Sequence, residues 1–418
     1  MQKLKLSMPL AAALLAIAPA ARAADTGDWI ATWAASPQPL FAADFIAPNK
    51  VPANFWNQTL REVASISLGG DKVRLVLSNL YGSTPLHIDA AHVALAGEFG
   101  AIEPGSDHPV TFDGQPNVSI PPGAEWISDP VEMKVAPLSK VAVSLYFKDV
   151  VPVTTTHWEG RDTAFITDGD TTRDATIKPS STMTAKPFLT GILVDAPANG
   201  SAVVTFGDSI TDGDGSTPDK THRWPDFLAK RLSEAGKPVA VLNEGISGAR
   251  VLTDRMGVNA LARFDHDVVA EPHVGSVILM MGINDIGWPE MVLDPRAKVP
   301  TAEAITDGYK QLIERAHEHG IRIIGATLTP FEDTFHGRYQ MDQYYNPEKE
   351  KVHEAVNDWI RNSGAFDAVI DFDALARDPA DPHHIKAELD SGDHLHPNDA
   401  AYEKMAGSID LGVLLSKK

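Results

Sequence analysis

The chain has 418 residues, a formal net charge of −20 and no cysteine. Without cysteine there is no disulfide framework, no thiolate metal site and no cysteine nucleophile. The excess of acid argues against nucleic acid and anionic membranes as partners.

The first residues read as a secretory leader. Lys3 and Lys5 precede an apolar run from Met8 to Ile17, and Ala21-Arg22-Ala23 supplies a small-x-small cleavage pattern. That run is too short to span a bilayer, and no later segment is long and apolar enough to do so. Removing residues 1–23 takes the formal charge to −23 and leaves about 395 residues, enough to bury one or two cores. The mature product is expected to be soluble and exported to the periplasm or the medium.

From Trp29 to about Leu193 the pattern is short β-type runs between Gly, Pro and Asp turns, with "KVRLVLSNL", "HVALAG" and "KVAVSLYF" the clearest. Val141, Val143, Leu145 and Phe147 alternate, and no helical period competes. Residues 24–195 are therefore expected to form a β-sandwich-like domain. Trp56, Trp126 and Trp158 fall within it. Aromatic residues of such sandwiches are usually core, and the rival reading makes this part a carbohydrate-binding module. "DAPANG", Asp195 to Gly200, reads as a linker short enough to impose close docking.

Residues 200–418 change to strand-helix alternation. Ala202–Phe206, Val239–Asn243, Val274–Met281, Ile321–Leu328 and Ala368–Phe372 are predicted strands. Thr301–His319 is a predicted helix with Ile305, Tyr309, Leu312, Ile313 and Ala316 on one stripe, stopped by Gly320. Near-continuous apolar strands with helical crossovers mean a parallel sheet covered on both faces. In such a sheet the ligand site lies beyond the carboxyl ends of the strands.

Polar motifs fall at those ends. The first strand runs into Gly207-Asp208-Ser209, the second into "NEGISGAR" and the third into "MGINDIG", while "SGDHLHPND" follows the fifth. A serine hydroxyl needs a base to become a nucleophile. His396 can accept the Ser209 proton, and Asp393, three residues earlier, can hold the imidazole tautomer. The backbone N–H groups of Ser209 and Gly248 and the Asn284 side-chain amide are the donors available to a tetrahedral oxyanion.

These blocks resemble those of the SGNH (GDSL) hydrolases, in order and with fitting spacing. The resemblance covers roughly the last 220 residues. It implies a flavodoxin-like three-layer α/β/α domain with a Ser209-His396-Asp393 triad, an oxyanion hole at Ser209, Gly248 and Asn284, and no cofactor or metal. "GARVLTDRMGVNALARFD" with "MGINDIG" and "DSGDHLHPND" is similar to a secreted branch related to xylan esterases, which carries an extra β-rich domain before the catalytic one. That branch often has Glu where this chain has Met281.

The implied activity is hydrolysis of short acyl esters, such as acetyl groups on small molecules or plant polysaccharides, with lipase or arylesterase activity the nearest alternative. A rival class is a metal-dependent phosphoesterase with Asp208, Asn284, Asp393, His394 and His396 as ligands. It lacks a second compact acid-and-His motif and leaves Ser209 and Gly248 unexplained. Asp208 is expected to brace its loop, and Trp224 to be core. Arg250 is read as either a substrate contact or a salt bridge. "DGDGSTPD", Asp212 to Asp219, fails as an EF-hand because it lacks Gly at the sixth position and has Arg223 at the twelfth. It is expected to be a mobile acidic loop.

Overall fold

The β-type runs of the N-terminal half pair into two main antiparallel sheets and three smaller antiparallel ones of two or three strands. The computed structural model describes residues 27–416 apart from 44, 46, 47, 339 and 340, so the leader expected over 1–23 lies outside the described residues. One sheet orders Trp29–Ala34, Leu189–Asp195, Gly70–Ser78 and Glu125–Ile127, with Val131–Val135 also paired to Gly70–Ser78. The other orders Ser181–Met183, Ala164–Asp168, Gln58–Ser65, Lys140–Phe147, Ala90–Leu95 and His108–Val110. Val73, Leu75 and Leu77 of the first sheet share one apolar cluster with Leu60, Val141, Val143 and Leu145 of the second. The half is the expected sandwich.

Its tryptophans depart from the expectation of core burial. Trp56 lies in the bend before Gln58–Ser65 and is 67% exposed, and Trp126, on the edge strand Glu125–Ile127, is 39% exposed. Trp158 is partly buried, edge-on to Phe41 at 5.1 Å and beneath Lys50 Nζ at 4.4 Å.

The C-terminal half is a parallel sheet of five strands: Ser201–Gly207, Val239–Gly245, Val274–Met280, Arg322–Ala326 and Ala368–Ile370. Their spatial order is second, first, third, fourth, fifth, the flavodoxin-like order. Residues alternate between faces. Val203, Val241, Ile278 and Ile324 pack with Trp224, Leu228 and Leu232 of α2 (Trp224–Glu234) and with Tyr402 and Met405 of α8 (Asp399–Ser408). Ala202, Val204, Leu242 and Val277 face the other way, towards α3 (Ala260–Phe264), α5 (Ala302–Glu318) and α6 (Pro347–Asn362). Three layers result.

The α5 stripe is buried as its periodicity requires, and Thr301 caps the helix by accepting from Ala304 N–H at 3.2 Å. The last two strands stop two residues early, at Ala326 and Ile370. Thr327 Oγ1 donates to Asp371 Oδ1 at 2.9 Å, and Asp371 caps α7 (Phe372–Ala376). A side-chain cap there outcompetes strand continuation, although Leu328 and Phe372 are apolar.

The β-rich half covers the exposed edge of the parallel sheet. Trp29–Ala34 lies against the edge strand Val239–Gly245, whose Val241 N–H donates to Ser67 Oγ at 3.0 Å. Below the sheet rim, Arg263 Nη2 donates to Gly207 O at 2.9 Å, while Nη1 reaches Asp267 Oδ2 at 2.6 Å and Ser36 Oγ at 2.8 Å. Ser36 Oγ also meets Glu244 Oε2 at 2.6 Å. Burial and the nearby Asp267 charge push the Glu244 carboxyl well above its usual range, and its Oε2 accepts from the Ser36 hydroxyl. Breaking a buried ion pair by removing one partner costs about 3–5 kcal/mol. Arg263→Met should therefore lower the urea-unfolding free energy by about that amount, and an unchanged midpoint would show that the network does not stabilise the fold.

Candidate active site

Ser209 is the first residue of α1 (Ser209–Asp212), set where the first parallel strand ends. Asp208 caps this single turn, with Oδ1 accepting from Ile210 N–H at 3.1 Å. The other Asp208 oxygen has no hydrogen-bond partner among the described residues, and burial pushes the carboxyl up to about 7. Its observed part is the bracing one. Like any first-turn N–H, that of Ser209 has no partner inside its helix.

The loop carrying "SGDHLHPND" brings His396 over Ser209. His396 Nε2 lies 2.9 Å from Ser209 Oγ, and His396 Nδ1 lies 2.7 Å from Asp393 Oδ2. The carboxylate accepts at Nδ1, so Nδ1 carries the proton and Nε2 is free to accept from the hydroxyl. Ser209 is 4% and His396 8% exposed. Close approach of this loop depends on Gly215, where a Cβ would stand 2.4 Å from Pro397 O and 3.1 Å from His396 Cβ.

Charge around the imidazole is mostly negative. Burial alone would lower its pKa, but the Asp393 hydrogen bond and the carboxylates of Asp214, Asp393 and Asp208 outweigh burial and hold it above the ordinary value. Asp214 Oδ2 is 3.8 Å from His396 Nε2. Burial would raise Asp393 too, yet the His396 contact and the backbone N–H groups of His396 and Leu395 hold it well below the usual carboxylate range.

Two further loops of the rim hold the remaining candidates. Gly248 has φ 79°, and a Cβ there would meet Met256 Sδ at 2.3 Å, so the position requires glycine twice over. The preceding Ser247 is fixed by Asp212, whose Oδ2 accepts from Ser247 N–H at 3.0 Å and from its hydroxyl at 2.8 Å. Asn284 sits on α4 (Ile283–Gly287), with Nδ2 donating to Ala249 O at 3.1 Å. Tyr344 Oη donates to Asn284 Oδ1 at 2.8 Å, which sets the amide orientation and leaves its second N–H unspent. Asp285 ties this loop to the second one, its carboxylate accepting from Val251 N–H at 2.7 Å and Leu252 N–H at 3.0 Å.

Other singled-out residues serve structure. Arg250 is buried and ion-paired to Asp294 at 2.5 Å, which decides for the salt bridge, and Trp224 is fully buried. The acidic loop is pinned rather than free: Asp399 accepts from Thr217, Asp219 accepts from Thr163, and Arg161 donates to Asp214 and to Ser216 O. His394 turns away to Asp390 at 2.8 Å. Among the described residues, groups of carboxylates and imidazoles close enough to share a metal are Glu332, Asp381 and His384, and Glu350, Glu354 and His383. Asp208, Asp393, His394 and His396 form no such group, so the ligand set of the phosphoesterase reading is not assembled. Tyr344, His157 and Arg161 went unnoticed in the sequence because no motif marks them, and Asp214 was singled out only as part of the acidic loop.

A buried Ser-His-Asp line on the carboxyl rim of a flavodoxin-order parallel sheet is the arrangement of an α/β serine hydrolase. Residues 205–404 match the GDSL-like lipase/acylhydrolase family, and the C-terminal half of this chain belongs to it, which makes the protein a carboxylic ester hydrolase. Comparison with curated proteins finds no match. Solved structures similar to it include an acetyl xylan esterase, AlAXEase, at 18% identity and TM-score 0.36, covering 50% of this chain and 96% of its own. A carbohydrate acetylesterase family member from Sinorhizobium meliloti aligns at 17% identity and TM-score 0.38, covering 51% and 97%. The inhibitor-bound aryl esterase of M. smegmatis aligns at 18% identity and TM-score 0.36, covering 50% and 95%.

The Tyr344 contact is open to a direct check. A hydrogen bond of this kind contributes about 0.5–1.5 kcal/mol. Tyr344→Phe should therefore slow ester turnover by roughly two- to tenfold, with the melting temperature nearly kept. An unaltered kcat would show that Asn284 needs no orienting partner.

Proposed function

We propose that the protein is an exported serine esterase acting through an acyl-enzyme. Ser209 Oγ attacks the ester carbonyl while His396 Nε2 takes its proton. The carbonyl oxygen becomes an oxyanion facing the N–H groups of Ser209 and Gly248 and the free Asn284 N–H. The tetrahedral species collapses as His396 returns the proton to the leaving alcohol. Water then repeats the sequence against the acyl-enzyme, and Ser209 is regenerated with release of the acid. Asp393 stays ionised and stabilises the imidazolium. The observation that carries this reading is the continuous line Asp393–His396–Ser209, at 2.7 and 2.9 Å.

The substrate we infer is a short acyl ester, acetyl in the first instance, with a sugar of a plant polysaccharide as the alcohol. Resemblance of the motif context to xylan esterases supports the alcohol. Phe335, whose ring centroid lies 6.3 Å from that of His396, packs with Trp288 and Tyr344 and supports a small acyl group by walling one side of the site. The leader supports delivery to the periplasm or the medium, where such esters occur.

Ser209→Ala should fold as the parent does and lose nearly all turnover of p-nitrophenyl acetate. A serine-directed phosphonate should add mass to the peptide containing Ser209, and an adduct on another residue would refute the assignment. A panel of acetylated xylan, glucose pentaacetate and p-nitrophenyl esters of increasing length tests the substrate, with preference for long acyl chains pointing instead to a lipase.

The pH profile follows from the His396 environment. The base must be neutral to accept the Ser209 proton, and its pKa is raised, so activity should fall as pH drops through a value above the ordinary 6.5. Asp393→Asn removes the largest raising influence and the tautomer control together. It should move that step to lower pH and cut kcat by roughly 10⁴, as loss of the orienting carboxylate does in related triads. An unshifted step with wild-type kcat would remove Asp393 from the mechanism.

A further inference from the structure

The β-rich half contributes nothing to the line at Ser209, yet its segment from His157 to Arg161 enters the loops around it. His157 ends the strand Thr155–His157 and is 4% exposed. Its Nδ1 lies 3.1 Å from Ser36 O and its Nε2 3.1 Å from Asp212 Oδ1. Both neighbours are acceptors, so both ring nitrogens must carry protons and the ring is a buried imidazolium. Burial opposes that charge, but the Asp212 carboxylate and the Ser36 carbonyl overcome it. The other Asp212 oxygen holds Ser247, the residue before Gly248.

A second contact runs parallel to this one. Arg161 Nη1 donates to Asp214 Oδ1 at 3.4 Å and Nη2 donates to Ser216 O. Asp214 Oδ2 lies 3.3 Å from Ser247 Oγ, whose single proton goes to Asp212, and stands 3.8 Å from His396 Nε2. Ser247 is thus held between two carboxylates, each restrained by a cation from the β-rich half.

We propose that His157 is a positioning residue for ester hydrolysis: it holds Asp212, and through it Ser247 and the Gly248 N–H that meets the oxyanion. Arg161 steadies Asp214 in the same way beside His396. The inference rests on the serine-esterase reading and adds to it that the β-rich half governs turnover of even the smallest esters. A donor misplaced by about 1 Å can cost a hundredfold in rate without changing ground-state binding.

The test uses the full chain with p-nitrophenyl acetate, and kcat is expressed per site titrated to completion with a serine-directed phosphonate. His157→Ala should lower that kcat by about ten- to a hundredfold with KM within about twofold, and His157→Gln, whose amide can still donate to Asp212, should recover part of it. A purely structural role would lower the melting temperature and the titrated fraction but not kcat per site. Should His157→Ala fail to fold, Ser247→Ala keeps the N–H and removes the hydroxyl bridge, and it should show a smaller kcat loss at constant KM. Wild-type kcat per site in folded His157→Ala, or in Ser247→Ala when the first does not fold, overturns the proposal. Activity surviving in Ser209→Ala would instead overturn the esterase mechanism beneath it.

Discussion

Acid side chains crowd the loops around Ser209, and each must find donors away from bulk water. Asp208 takes the Ile210 N–H, Asp212 takes His157 and Ser247, and Asp285 takes the N–H groups of Val251 and Leu252. Asp393 takes His396. A buried carboxylate without donors is costly, so each pairing restricts where a loop can lie. The rim is rigid because its charges have few alternative partners. Asp393 and Asp208, with Asp214 beside them, also hold the His396 imidazole above its ordinary pKa, so part of the constraint that orders the loops also sets the base.

Sheet topology supplies the other half of the geometry. The first strand lies between the second and the third, so the order reverses there and a crevice opens above Ser209. Loops after the second and third strands flank that crevice and present Gly248 and Asn284 from either side. The parallel direction sends every strand's carboxyl end to one rim, which is how residues distant in sequence meet. Tyr344 then completes what topology begins, by choosing which way the Asn284 amide faces.

The β-rich half does more than shield. It covers the free edge of the parallel sheet, where an unpaired strand would invite association. Its Ser36 joins Arg263, which reaches the carbonyl of Gly207 directly before the Asp208-Ser209 turn. Its Arg161 and Thr163 tie down the acidic loop that a reading of composition would leave free. Scaffold and site are therefore coupled through buried polar contacts, which are specific in direction, and not only through apolar packing.

From the amino-acid sequence came the two-part architecture, the parallel sheet, the α5 stripe and the polar rim, because each is written in local periodicity or in turn chemistry. Ser209, Asp393 and His396 were nameable for the same reason: each lies in a short block at a strand end, and Asp393 and His396 are three residues apart. Strand ends at Ala326 and Ile370 were not legible, since a Thr327–Asp371 contact across 44 residues sets them. Nor was the exposure of Trp56 and Trp126, which depends on whether another layer covers them. His157 meets Asp212 across 55 residues, and Tyr344 meets Asn284 across 60. Pairings at that range leave no periodic trace in a single chain. Only folded packing decides them, of one half on the other for His157 and Asp212 and within the C-terminal half for Tyr344 and Asn284, because burial forces each polar group to take the partner it has.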